Sequence, residues 1–429
     1  MLNQQTRIAI VGLWHLGCTA AAAWLKKGFS VVGIDFDEKI IEKLSKGKAP
    51  LYEPYLDEIL QKSLAEKKLV FSTSPEKIKG CDFVFLTYDT PMDERDLYNL
   101  QPLEEALEKI CPNLSKSASL IVSSQVPVGT CSKWEAQFNC SIAYSPENLK
   151  LSEAIENYLN PGHIVIGADK PKVLEKVKEL FSNIPAKYLT MSLKSAEMTK
   201  HAINAFLASS ITFANQLSDA CGLSGADFHQ VTSAMKLDPR IGDKAYMKAG
   251  IGFSGGTLGR DLRILSQLNK TRGGGTFPFF QEIWQHNQQR PRLLVHKIGK
   301  VLKHFAEKKI AILGLTYKPG TSTLRRSLPL EMAQDLIRRQ SQVKVYDPKA
   351  DWSEGKNQEG LEKAKDPYDA AFGADFLLVL TPWPEFKELD FEKIGKSMRE
   401  KRIFDPHRCL THQYALLKSF GFEIFEHIP

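Results

Sequence analysis

Two glycine-rich stretches of this chain have the composition of loops that hold ligands by their backbone. The first is Gly12-Leu13-Trp14-His15-Leu16-Gly17, set between an apolar run at 7–13 and a small-residue helical stretch. A second apolar run at 29–35 ends in Asp35, 23 residues after Gly12. A dinucleotide fold needs a tight turn after a strand, close backbone approach to the pyrophosphate, and phosphate at a helix N-terminus. An acid about 20 residues on takes the ribose hydroxyls and favours NAD over NADP. Trp14 stands where the middle glycine of G-x-G-x-x-G belongs, and its side chain is expected to crowd the pyrophosphate unless the turn moves. The competing reading is a strand–helix turn that binds nothing. The second stretch is Gly250-Ile251-Gly252-Phe253-Ser254-Gly255-Gly256-Thr257-Leu258-Gly259-Arg260-Asp261, with five glycines in ten residues. Glycine brings no side-chain contact, so this is no packed core; it suits wrapping a ligand with N–H groups, with a flexible linker as the alternative. Upstream, Asp238-Pro239-Arg240-Ile241-Gly242 places a guanidinium near it in sequence.

The elements that must position these loops repeat within the chain. The runs at 7–13, 29–35 and 80–87 are echoed at 309–315, 343–347 and 373–381, about 300 residues later. Short β-branched runs alternating with helical stretches mark βαβ units and parallel sheets. The fold class expected is α/β: two Rossmann-like doubly wound parallel-sheet domains joined by a long-helix central region. The expected domains are 1–190 (NAD-binding), 191–305 (helical linker and dimerisation, with the glycine loop) and 306–429. Residues 193–223 carry no proline and are rich in Ala, Leu and Phe; 279–305 are similar but interrupted by Pro291. Long helices between two α/β domains are expected to pack on each other or on a second subunit, so a homodimer or higher homo-oligomer is expected.

Composition narrows the classes. The chain has 429 residues, 43% hydrophobic and 25% charged, an ordinary globular balance. Its net charge of +7 is spread without a polybasic block, which disfavours nucleic acid and suits anionic small molecules. Seven cysteines without CxxC or Cys/His ligand spacing argue for a reducing compartment, no disulfide framework and no metal site. Residues 8–25 imitate a secretion signal, but His15 interrupts the run and a second strand follows; a cytoplasmic protein with no membrane partner is expected.

Further along the chain stand Pro50-Leu51-Tyr52-Glu53-Pro54, Thr90-Pro91, Val126-Pro127-Val128-Gly129-Thr130, Ser145-Pro146-Glu147 and Lys200-His201-Ala202-Ile203-Asn204. Tyr317-Lys318-Pro319-Gly320-Thr321, with Arg325 and Ser327, and Thr381-Pro382-Trp383-Pro384-Glu385-Phe386 follow. With the glycine loops, and in this order from about 7 to 406, they resemble the UDP-glucose/GDP-mannose dehydrogenase family. The resemblance implies an NAD domain, a helical linker, a C-terminal domain completing a nucleotide-sugar site, and oxidation of a sugar C6 alcohol to a carboxylate in two hydride transfers. It implies catalytic roles for Lys200, Asn204, Glu147, Asp261 and the position of Thr257. It places Gly12, Trp14, His15, Leu16, Gly17, Asp35, Thr90 and Gln125 at the cofactor. Substrate falls to Arg240 (reaching a neighbouring subunit), Phe253, Ser254, Gly255, Gly256, Lys318 and Arg408. Lys200 and Asn204, one turn apart on a helix, suit the negative charge that builds on the C6 oxygen as hydride leaves. Glu147 and Asp261 suit proton acceptance or orienting water.

The chain departs from the family where the chemistry is sharpest. Thr257 stands where the family has its nucleophilic cysteine, and a hydroxyl, unlike a thiol of pKa ~8.5, stays protonated at neutral pH. Gln125, Leu151, Gly259, Arg260, Thr323 and Arg326 also depart from the family pattern. Three readings stay open: an NAD-dependent nucleotide-sugar dehydrogenase that stops at the aldehyde or passes through its hydrate; one using Cys131 as a substitute nucleophile; and a nucleotide-sugar- or NAD-binding paralogue without the reaction. Oxidation at another sugar carbon belongs with the first.

Overall fold

The computed structural model describes residues 6–93, 98–147, 149, 153–270, 273–275, 277–354 and 358–426. Leu151 lies outside them. The chain divides into two compact units, Met1–Ile203 and Asn204–Pro429.

In the first unit eight strands form one sheet: β1 Arg7–Val11, β2 Ser30–Ile34, β3 Leu69–Ser72, β4 Phe83–Leu86, β5 Ser119–Val122, β6 Ile142–Tyr144, β7 His163–Gly167 and β8 Lys187–Met191. Their order is β3-β2-β1-β4-β5-β6-β7-β8, parallel except where β6 meets β7. The strands read as continuous Val, Ile, Leu and Phe runs because helices cover both faces of a parallel sheet. Chain order reverses between β1 and β4, and ligands of such sheets lie in the crevice at the carboxyl ends there. The stretch that imitates a secretion signal is core: β1 is buried beyond Arg7, and the helix His15–Lys26 buries everything from Gly17 to Leu25. Its Ala20–Ala23 run lets it lie close to the strands. Trp24, fully buried, meets Phe29, Phe85, Tyr158 and Phe181 and donates from its indole to the Tyr158 hydroxyl at 3.1 Å.

The second unit repeats the device with six parallel strands: β9 Lys309–Leu313, β10 Gln342–Tyr346, β11 Leu361–Lys363, β12 Phe376–Val379, β13 Arg402–Phe404 and β14 Glu423–Phe425. Their order, β11-β10-β9-β12-β13-β14, matches the first six strands of the other sheet, as the repeated sequence pattern predicts. The long helix runs Leu193–Ser224. A second long helix, Pro278–Leu302, corrects one expectation: Pro291 does not interrupt it. Proline forfeits one N–H and crowds the preceding turn, but here it is buried, and the side chains of Asn287 and Arg290 beside it are tied into the glycine loop, which holds the helix through the defect. Among the described residues no helix is long and apolar enough to cross a membrane, and no cluster of His, Cys, Asp and Glu could hold a metal ion.

Candidate active site

The first glycine turn is sterically forced. Gly12 has φ +99°, and a Cβ there would stand 2.7 Å from the Tyr88 backbone nitrogen; one on Gly17 would stand 1.9 Å from the Gly12 carbonyl oxygen. Trp14, in contrast, takes an ordinary extended conformation and is 41% exposed, so the turn closes without a glycine at that position. It precedes the helix His15–Lys26, whose first turn, with Leu16 and Gly17, receives no side-chain cap. Those N–H groups with the helix dipole suit an anion. The His15 Nε2 pairs with buried Glu53 at 3.0 Å, and Glu53 also accepts the Ala154 N–H at 2.7 Å, so that ring nitrogen is taken up within the chain. Asp35, just past β2, accepts the Leu13 N–H at 2.7 Å and the Asp37 N–H at 3.1 Å. It lines a cavity of about 600 Å³ with Phe36, Tyr88, Glu105, Ala106 and Lys109. Burial and the Asp35 charge push the Tyr88 phenol well up. The Thr90 hydroxyl donates to the Gln125 carbonyl at 2.5 Å, joining the segments that follow β4 and β5.

The repeat supplies an internal contrast. Asp347 ends β10 as Asp35 ends β2, but its carboxylate accepts from the Leu315, Thr316, Lys349 and Ala350 backbones, the Thr316 hydroxyl and the Trp383 indole. It is saturated by its own protein. The acid that can take ribose hydroxyls is Asp35, in the first unit.

The same unit holds a buried polar face on the long helix. Glu197 is fully buried and accepts the Gly129 and Cys131 N–H groups at 2.5 and 2.7 Å. One turn on, the His201 ring pairs with the Val126 carbonyl at 2.9 Å. These two side chains clamp the segment after β5, which carries Gln125, onto the helix that carries Lys200. The Lys200 ammonium, nearly buried, donates to the Glu147 carbonyl at 2.9 Å. Burial pushes the Glu147 carboxyl up to about 8, with the Lys200 charge opposing the rise. A carboxyl that titrates near neutrality can hold or take a proton in catalysis. Cys131 is another matter: it is fully buried, and burial with the Glu197 carboxylate drives its thiol well above its ordinary value. Without thiolate it is no substitute nucleophile.

In the second unit Asn204 donates its side-chain amide to the fully buried Asp261 at 2.5 Å. The glycine loop is no flexible linker. The Phe253 backbone exchanges two hydrogen bonds with the Asn287 side chain, at 2.8 and 2.9 Å. Gly250 donates to Asn215 at 2.8 Å and accepts from Arg290, which pairs with Asp219 at 3.0 Å. Ser254 accepts the Leu328 N–H, and the Gly255 N–H donates to the Arg326 carbonyl. Gly252, at φ +117°, leaves no room for a Cβ beside Asn287 and Leu328. Gly256 precedes the helix Thr257–Gln267, and Thr257 is exposed at its first position, where the dipole that would acidify a thiol has only a hydroxyl to act on.

The remaining cations fall into two groups. A cavity of about 730 Å³ is lined by the cations Lys248, Lys387 and Arg408 and the carboxylate of Glu388, with Tyr246, with His407, whose burial disfavours its charged form, and with Gly250 and Gly252 of the loop. Arg408 pairs with Glu426 through one guanidinium nitrogen, while its buried Nε has no partner among the described residues. Lys318 sits over the Tyr317 ring, 5.7 Å from its centroid, and is not in that lining. Arg240 is brought to none of these: its guanidinium points to solvent, paired with Asp238 at 2.7 Å.

An open dinucleotide crevice in one doubly wound unit, and a cationic cavity beside a pinned glycine loop in the other, define an NAD-dependent oxidoreductase with a second, anion-binding site. The chain matches the UDP-glucose/GDP-mannose dehydrogenase family in all three of its parts: the NAD binding domain over residues 6–185, the central domain over 194–289 and the UDP binding domain over 311–412. It belongs to that family, and NAD is its cofactor. It is 31% identical over 409 residues to UDP-glucose 6-dehydrogenase TuaD of Bacillus subtilis (strain 168), covering 93% of this chain and 88% of the relative. It is 29% identical over 421 residues to a UDP-glucose 6-dehydrogenase of Pseudomonas aeruginosa, covering 93% and 92%. A solved UDP-glucose dehydrogenase from Pyrobaculum islandicum superposes with a TM-score of 0.88 at 27% identity, over 99% of this chain and 97% of that one.

Sequence reasoning passed over Glu197, His201, Asn287, Arg290, Lys248 and Lys387. Glu197 and His201 had a usable signal, since 197, 200, 201 and 204 recur at helical spacing on one face. Asn287 and Arg290 had none, because what they hold is a loop more than thirty residues away in sequence.

Proposed function

We propose that this enzyme oxidises the C6 alcohol of a UDP-linked sugar without a covalent thiol stage. Bound NAD supplies the hydride acceptor; the chain supplies everything else. Gly12, Gly17 and the uncapped helix start, with Leu16, would receive the pyrophosphate, Asp35 the ribose, and Thr90 and Gln125 the nicotinamide side. Lys200 and Asn204 would stabilise the negative charge growing on the C6 oxygen. Glu147, or Asp261, would receive the hydroxyl proton. Phe253, Ser254, Gly255 and Gly256 would wrap the substrate, with Lys248, Lys318 and Arg408 at its pyrophosphate. Arg240, unengaged by its own glycine loop, would serve a neighbouring copy. Phe206 and Phe213, 73% and 48% exposed and seven residues apart on one helix face, support a homodimer. Seven unpaired cysteines support a reducing, cytoplasmic setting.

The observation that carries this reading is Thr257 at an acidifying helix start while Lys200 is held on the Glu147 carbonyl and the Glu147 carboxyl is poised near neutrality. The test is NADH yield from UDP-glucose and UDP-N-acetylglucosamine, with mass spectrometry of the sugar. One NADH per carbonyl product, trapped as an oxime, is expected. Two NADH per carboxylate would instead favour the aldehyde hydrate, with Glu147 activating the water. Saturable binding without turnover overturns the enzymatic reading.

A further inference from the structure

Two cysteines of the first unit lie side by side, outside the chemistry described so far. Cys111 follows the helix Gln101–Ile110 and Cys140 lies two residues before β6; their sulphurs are 3.9 Å apart. Both are partly exposed, whereas Cys18, Cys81, Cys131 and Cys221 are buried. We propose that Cys111 and Cys140 form a peroxide-sensitive dithiol whose oxidation to an internal disulfide resets the wall of the NAD pocket.

The chemistry follows from their environment. The Cys111 thiol donates to the Cys140 sulphur and lowers its pKa, and Lys170 assists, while Cys111 itself is held up. Burial and the Glu135 charge oppose that fall, but of the two thiols Cys140 ionises the more readily, and its thiolate form is the one that attacks. Its sulphur breaks the O–O bond of hydrogen peroxide, taking one oxygen as sulfenic acid and releasing hydroxide. Cys111 then attacks that sulphur and expels the oxygen as water. The two thiols lose two electrons and two protons; the peroxide becomes two waters. Disulfides of reducing compartments are typically of this transient, sensing kind.

Geometry connects the pair to the cofactor. The helix Gln101–Ile110 presents Pro102, Glu105, Ala106 and Lys109 to the cavity beside Asp35, and Lys109 sits 4.3 Å above the Phe36 ring. Forming an S–S bond of about 2.05 Å requires the sulphurs to close by about 1.9 Å from their 3.9 Å separation. The Cys140 side is held by the sheet, where the Leu120 N–H donates to the Ser141 carbonyl at 3.0 Å. Closure therefore draws on the helix end, two residues from Lys109.

The full chain should be treated with hydrogen peroxide, alkylated, digested and analysed by mass spectrometry, with NAD affinity measured by calorimetry before and after. The expected result is a peptide joining Cys111 to Cys140, about 2 Da lighter than the reduced pair and reversed by dithiothreitol. NAD affinity should change by about threefold or more with it. Cys140→Ser should bind NAD as the reduced protein does and lose the response to peroxide. Cys111→Ser should leave a sulfenic acid on Cys140 that dimedone traps. A protein oxidised elsewhere, or cross-linked only between copies, overturns the proposal. So does an internal cross-link that leaves NAD affinity unchanged.

Discussion

Replacing Glu147 by glutamine should remove activity and, in alkaline solution, stabilise the fold. Burial raises this carboxyl from its ordinary 4.5 to about 8 against the pull of Lys200. Below pH 4.5 the group is protonated in folded and unfolded chains alike, so it costs nothing. As pH rises from there, the unfolded chain releases its proton while the folded one keeps it, and stability falls until both are ionised above about 8. At about 1.36 kcal/mol per pH unit the full cost reaches about 5 kcal/mol. Because Glu147 is only partly shielded from solvent, about 2–4 kcal/mol is the expected share. Tyr158, its buried neighbour, has a hydroxyl held well above its ordinary value and stays protonated throughout. Glu197, also raised by burial, is present in both proteins and cancels in the difference. Urea unfolding of wild type and E147Q at pH 5, 7 and 9 measures the effect. The stability difference should move in favour of E147Q by about 2–4 kcal/mol between pH 5 and 9. A difference independent of pH would show that the carboxyl is not held protonated, and would remove the argument that Glu147 becomes a base only as pH approaches 8. The activity profile checks the same point separately, since wild-type turnover should rise up to about pH 8 and then level.

Asp35→Ala removes the partner of the Leu13 and Asp37 N–H groups, and should weaken NAD binding about tenfold or more by calorimetry; unchanged affinity would take Asp35 out of the cofactor site. Thr257→Cys supplies a thiol at a helix start, and should raise the NADH yield per sugar from one towards two; no gain would show that the neighbouring substitutions matter as much. Glu197→Ala strands the buried Cys131 N–H and the half-buried Gly129 N–H, and should cost about 2–4 kcal/mol of stability by urea melts while lowering kcat more than it raises the KM for NAD; a fall in kcat no larger than the rise in KM would make Glu197 merely structural. Among the described residues the Arg240 guanidinium pairs with Asp238 alone, so Arg240→Ala should leave the melting temperature unchanged while the KM for the nucleotide sugar rises; a normal KM would exclude service to a neighbouring copy.

The two sheets, their repeat and the first glycine turn were legible in the residues because each rests on local rules. A strand buried on both faces must be an apolar run, and a backbone on which a Cβ would stand 2.7 Å from a neighbouring backbone nitrogen must lack one, as at Gly12. The acid ending β2 was equally legible, but so was the acid ending β10. Only the folded chain separates them, since Asp347 is consumed by Trp383 and five other donors while Asp35 opens onto a cavity. The same holds for the glycine loop, whose composition admitted a linker until Asn287 and Arg290 were found pinning it. It holds for Pro291, which reads as a helix break and is carried through by its neighbours. It holds for Cys131, a candidate thiol by position and an inert one by burial. Residue type and spacing determined which chemistry this chain could attempt, because those follow from what each side chain and each turn can do alone. Which groups are charged, held or spent was decided by tertiary structure, because burial and hydrogen-bond partners come from residues that no local pattern connects.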